Sequence, residues 1–117
     1  MALDTAPIEL RAYDPAATGS YVYNAIWGLV EKGVPVSSSV KEAYFHVREN
    51  GRKRLQLALG SGLSWNNQTK TVHIQITNEQ VAFLRSDMDL DYSFYVVWDY
   101  GLIETLKEGA VTAVRVA

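Results

Sequence analysis

Asp87, Asp89 and Asp91 place three carboxylates at alternate positions, a spacing that could supply oxygen ligands to calcium. A helix-loop-helix calcium loop counted from Asp87 needs Gly at its sixth position and a bidentate Glu at its twelfth. Those positions hold Tyr92 and Trp98, both inside an alternating apolar run, so the spacing predicts a solvated acidic loop leading into a strand. His46 and His73 are the only histidines. A metal site would need them to converge with a carboxylate, and no ligand-like spacing joins them. Each falls on the polar side of its run and is read as a surface residue. The serines lack a Gly-x-Ser-x-Gly elbow, and Gly60-Ser61-Gly62 lacks the length, lysine and following helix of a phosphate loop. Arg48 to Arg54 is locally basic, but no stacking aromatics interleave with its charges as single-stranded nucleic acid would require. Asn67-Gln68-Thr69 matches a glycosylation sequon and is read as a turn. The expectation is a non-enzymatic chain with no catalytic residues, no metal and no cofactor.

The elements that position these residues follow a period of two, the mark of strands. Ile8, Leu10 and Ala12 alternate with polar neighbours. After Asp14-Pro15 and Gly19, a longer strand runs from Ser20 to Val30, and Glu31-Lys32-Gly33 turns the chain. Ala43, Phe45 and Val47 alternate in one run and Leu55, Leu57 and Leu59 in the next. Asn50-Gly51 between them suits the positive-φ positions of a tight hairpin. A short strand at Leu63 to Trp65 returns through a polar turn to Val72, Ile74 and Ile76. Thr77 and Gln80 form a capping box for a short helix that buries Val81 and Leu84 and ends near Ser86. Tyr92, Phe94, Val96 and Trp98 make another strand, Asp99-Tyr100-Gly101 a turn, and Ile103 to Val116 one or two last strands broken at Glu108-Gly109. Seven to nine short strands with regularly spaced turns predict an all-β, two-sheet antiparallel sandwich with one short helix, forming one domain over residues 1–117. Tyr92, just inside a late strand, stands where a tyrosine corner would pin such a sandwich.

Three Trp, seven Tyr and three Phe exceed what one small core needs. If Tyr21, Tyr23, Trp27, Phe94 and Trp98 point inward, then Val22, Ile26, Tyr44, Tyr95 and Val97 point outward. An antiparallel sheet normally turns a polar face to water, so this apolar face predicts cover by another chain. A different use of aromatics is sugar stacking, for which Trp65 and Tyr100 stand in turn regions.

The net charge of −2 argues against a nucleic-acid partner and against an anionic membrane surface. No apolar run reaches the length of a membrane span, and Met1 to Leu10 has no basic start or apolar stretch of an export signal. The absence of cysteine removes disulfides and thiolate metal sites and fits synthesis in a reducing cytoplasm. Residues 1–7 read as a flexible arm.

By the last third of the chain, the order of features resembles a known family. An alternating strand (Thr71 to Ile76), a capped Thr-x-x-Gln turn (Thr77 to Leu84), an aromatic strand (Tyr92 to Trp98), Asp99-Tyr100-Gly101 and Gly109-Ala110-Val111-Thr112 follow one another. The Ala43 to Val47 strand and Gly62-Leu63 agree with it. The chain resembles the immunoglobulin-like sandwiches of tailed-bacteriophage virion proteins and is similar to the N-terminal domain of phage baseplate upper proteins. The likeness spans residues 8–116. It implies an immunoglobulin-like fold, no catalytic residues, other virion proteins as partners, a symmetric homo-oligomer, and location in the virion after synthesis in the host bacterium. Members often continue into a fibre or receptor-binding region, whereas this sequence ends at Ala117. The implied role is therefore a tail, neck or baseplate adaptor or fibre-attachment subunit. A capsid-decorating protein and a carbohydrate-binding module are the alternatives.

Overall fold

A computed structural model describes residues 3–13, 21–84 and 89–115. The chain is all-β apart from one short helix. Its strands are β1 (Ile8–Ala12), β2 (Tyr21–Gly28), β3 (Val30–Glu31), β4 (Val34–Pro35), β5 (Val40–Glu49), β6 (Arg52–Leu59), β7 (Gly62–Asn66), β8 (Thr71–Thr77), β9 (Leu90–Trp98) and β10 (Ile103–Arg115). Helix α1 (Asn78–Ala82) lies between β8 and β9. Eight strands form one continuous sheet in the order β1-β10-β9-β5-β6-β7-β8-β2, and β3 and β4 form a separate hairpin.

Two features differ from the expected pair of antiparallel sheets. The large ladder is unbroken, and two of its pairings are parallel, β1 with β10 and β6 with β7. The β6–β7 pairing is local: Ala58 faces Gly62 and Leu59 faces Leu63, so the chain bends sharply at Gly60-Ser61 and continues in nearly the same direction. This corner lets the sheet fold back on itself, as strands do where one layer of a sheet passes into another. Trp27 on β2 consequently meets Phe94 on β9 and Phe45 on β5, with ring centroids 5.3 Å and 6.0 Å away. The curled sheet is nearly barrel-shaped.

Local chemistry accounts for the elements. Asn50 and Gly51 both have positive φ, as the tight β5–β6 turn requires. Thr77 accepts a hydrogen bond from the Gln80 backbone N–H while the Gln80 side chain accepts one from the Thr77 N–H, completing the capping box of α1. Val81 and Leu84 are buried beneath it.

The core fills the inside of the curl: Phe45 and Val47 from β5, Leu57 from β6, Val72, Ile74 and Ile76 from β8, and Tyr92, Phe94 and Val96 from β9. Phe45 and Tyr92 stack at 5.7 Å. Alternation predicts these inward positions because side chains of a strand switch faces at every residue.

The final segment is one strand, not two. Glu108 and Gly109 stay in register with Ser93 and Tyr92, and the irregularity lies at Thr105–Lys107, where Leu106 is the extra residue. Glycine serves at 109 because the N-terminal segment crosses there. A Cβ would stand 3.0 Å from the Thr5 carbonyl oxygen and 3.1 Å from that of Ala6. Asp4 and Ala6, within the segment read as an arm, are tied to the sheet. The Asp4 N–H donates to Leu106, its backbone carbonyl accepts from Glu108, and its carboxylate pairs with Lys107 at 2.7 Å. Lys107 holds the Asp4 carboxyl below its ordinary pKa. The Tyr92 hydroxyl donates to the Ala6 carbonyl at 2.6 Å. Tyr92 thus pins the N-terminal segment instead of residues just upstream, the pattern expected of a tyrosine corner.

Candidate functional site

The residues that gather are those of the outer face of β10, β9, β5 and β6. Cross-strand register sets them side by side, because residues directly opposite on paired strands point to the same face. Val97 lies opposite Ile103 on β10 and Glu42 on β5. One row along, Tyr95 lies between Thr105 and Tyr44, and Tyr44 faces Ala58. The next row joins Ser93, His46 and Gln56. Tyr44 and Tyr95 stack with centroids 5.0 Å apart and planes 26° from parallel. His46 meets the edge of Tyr95 at 5.5 Å. An aliphatic and aromatic strip therefore runs from Ile103, two-thirds exposed, through Val97 and the tyrosine pair to His46.

Charge is confined to the margins of this strip. Glu42 lies beside Tyr44 and raises its phenol pKa. On the other side, Arg48 makes a two-point contact with the Asp91 carboxylate, both distances 3.2 Å. Lys53 donates to Gln56. Arg54 lies 4.4 Å over the Phe83 ring. An apolar centre with a polar rim is the anatomy of protein–protein contacts.

His46 is the residue that sequence reasoning placed differently. Alternation puts it on the outer face, where it lies, but the rings of Tyr44 and Tyr95 cover it to 8% exposure. Its Nε2 has no hydrogen-bond partner among the described residues. Burial, followed by the charges of Lys53 and Arg48, lowers its pKa. Ile103 was missed as well: it belongs to a strand expected from the sequence, and only the β9–β10 register brings it beside Val97.

The remaining expected contact residues separate. Ile26 is two-thirds exposed, but it lies on β2, at the far end of the strand order from β9. Val22 packs against the core. The β2–β8 register skips a residue between Tyr21 and Tyr23, so Val22 is the extra residue of a bulge. The bulge reverses the alternation before it, leaving Tyr21 exposed where an inward position is expected.

Trp65 and Tyr100, the sugar-stacking pair, sit in unlike settings. Trp65 lies opposite Val72 and packs against the core, its indole nitrogen buried without a partner among the described residues. Tyr100 is exposed in the β9–β10 turn. The recess beside Trp65 is bordered by Asn66, Asn67 and His73. Asn66 caps its own turn through Gln68 and Thr69, Asn67 accepts from Ser39 and Lys70, and His73 is bonded to Asn24. Of the acidic triplet, Asp91 is engaged by Arg48 and Asp87 lies outside the described residues. No three metal-ligating side chains meet among the described residues, and no helix there is long and apolar enough to cross a membrane.

The chain matches no protein-family model, no curated protein and no solved structure.

Proposed function

We propose that this protein is a non-enzymatic docking module that works through the outer face of β10, β9, β5 and β6. The observation that carries the reading is the stacked Tyr44–Tyr95 pair, continuous with Val97 and the exposed Ile103 and bordered by charges. Tyrosine supplies large amphipathic contact area at low conformational cost, and an apolar sheet face of this kind is stabilised by a protein cover.

The finer fold reading belongs with this proposal. The layer β1-β10-β9-β5-β6 and the layer β7-β8-β2 correspond in order to the two sheets of an immunoglobulin-like sandwich, with Gly60–Gly62 as the junction. The Trp27 contacts to Phe45 and Phe94 cross between these layers and support it. Together with the ordered likeness in the sequence, this favours a structural component of a tailed-phage virion, an adaptor or fibre-attachment subunit of the tail, neck or baseplate. Its partners are then other virion proteins in a symmetric arrangement. A decorating role on the capsid would use the same face at higher copy number.

Quantitative mass spectrometry of purified particles tests the assignment, with copy number taken against the major capsid protein. The adaptor role predicts a small symmetric number of copies. Hundreds of copies would make it a capsid decoration, and absence from the particle would refute the virion reading.

A further inference from the structure

His46 lies at one end of the aromatic strip and is covered by it. The rings of Tyr44 and Tyr95 stand 6.2 Å and 5.5 Å from the imidazole and leave it 8% exposed. Its Nε2 is buried with no hydrogen-bond partner among the described residues. The groups that face it are mostly neutral or cationic. Ser93 on β9 and Gln56 on β6 stand directly opposite, and Gln56 already accepts from Lys53. Arg48 on β5 and Lys53 on β6 set positive charge beside the ring. The carboxylates of this face are engaged or set back. Asp91 is held by Arg48, Glu42 lies beyond Tyr44, and Glu108 lies one strand further out, opposite Ser93. The other histidine, His73, is on β8 and bonded to Asn24, away from this face.

A neutral imidazole can keep its single proton on Nδ1 and leave Nε2 bare, whereas the protonated ring carries a proton on both nitrogens. Protonation of His46 therefore creates a buried, charged donor without an acceptor, beneath two phenol rings and beside two cations. A charge buried without a partner is far costlier than one that reaches water. The tyrosine rings are the part of the surroundings that can yield, because the strands beneath them are laddered and packed on the core. We infer that protonation of His46 parts the Tyr44–Tyr95 stack, so that mild acid dismantles the docking face and releases its partner. The release rests on this face being the docking surface; the opening of the stack does not. A partner seated on the strip desolvates His46 further, so it binds the neutral form best. One proton linked in this way weakens docking by up to about tenfold per pH unit below the free protein's His46 pKa.

Nuclear magnetic resonance on the free full chain, from about pH 7.5 to about pH 5, tests the opening. It follows the His46 ring and the Tyr44–Tyr95 ring contacts, with the Trp27–Phe94 contact as the check that the core stays folded. The tyrosine contacts should disappear with the midpoint of the His46 titration while the Trp27–Phe94 contact remains. They should persist throughout in His46→Phe and in His46→Gln, neither of which titrates. Tyrosine contacts that survive the His46 titration would overturn the inference, as would their loss in both variants or a His46 ring that stays neutral to the end of the range. Loss of the Trp27–Phe94 contact at the same pH would mean general unfolding and would overturn it too. Retention on particles tests the release: the wild type should come off at about pH 5 and the folded His46 variants should stay. Equal release of wild type and variants would overturn that step. A wild type that never binds particles at about pH 7.5 would refute the docking reading and the release with it, while the ring contacts still decide the opening.

Discussion

At the scale of single residues, His46 shows how a side chain's role depends on its neighbours across the sheet. Period-two alternation places it outward, and that much is legible in the sequence. Its burial is not, because it arises from Tyr44 and from Tyr95, 49 residues away on another strand. The consequence is a pH dependence with a definite sign. Burial, with help from Lys53 and Arg48, holds the folded-state pKa below the ordinary imidazole value. On acidification the unfolded chain therefore takes up a proton before the folded one does. His46 favours the fold fully above about pH 6.5, and this contribution declines as pH falls from there through the folded pKa. Urea unfolding at about pH 7.5 and about pH 5 should show a larger loss of midpoint for the wild type than for His46→Phe, which keeps a ring but cannot titrate. Equal losses in the two proteins would show that the imidazole has no such role. Trp65 teaches the same lesson in reverse. Beside a polar turn it looks like a binding platform, yet its register opposite Val72 turns it against the core.

At the scale of elements, what was legible was whatever depends on adjacent residues. The Asn50-Gly51 turn and the Thr77–Gln80 capping box are local, and both form where the sequence places them. Bulges are less visible, because one extra residue changes the face of everything beyond it without altering composition. That is why Val22 turns inward and why the last strand is kinked at Leu106 instead of broken at Gly109. The β6–β7 corner escaped for a related reason: Gly60-Ser61-Gly62 reads as an ordinary loop, yet it is where the whole sheet folds over. Gly62 has φ +93°, and an added Cβ would stand 2.6 Å from a buried Leu57 methyl. Gly51 has a similar φ of +83°, with nothing within 4 Å of an added Cβ. Gly51→Ala should cost about 1–2 kcal/mol for backbone strain alone. Gly62→Ala adds overpacking of the core and should cost about 2–5 kcal/mol in denaturant unfolding. Equal costs at the two sites would mean that the corner relaxes freely.

At the scale of the whole molecule, the surface proposed for other chains is the outer face of β10, β9, β5 and β6. It offers side chains, with the stacked Tyr44–Tyr95 pair beside Val97 and Ile103. The sequence pointed to this face through a surplus of aromatics, and Tyr44, Tyr95 and Val97 do lie on one face of adjoining strands, because strands with one inward apolar face reveal the other by subtraction. Ile26 was grouped with them in error of place, since alternation gives a residue's face but not the strand's position in the sheet. The proposed docking surface is the tyrosine face. Tyr95→Lys puts a charge at its centre without touching the core, so the variant should fold with near wild-type stability. The most direct measurement is its abundance, relative to wild type, in particles assembled when each chain is supplied in turn. The wild type should be incorporated and the folded Tyr95→Lys chain should not. Normal incorporation of Tyr95→Lys would show that the particle holds this protein by some other surface.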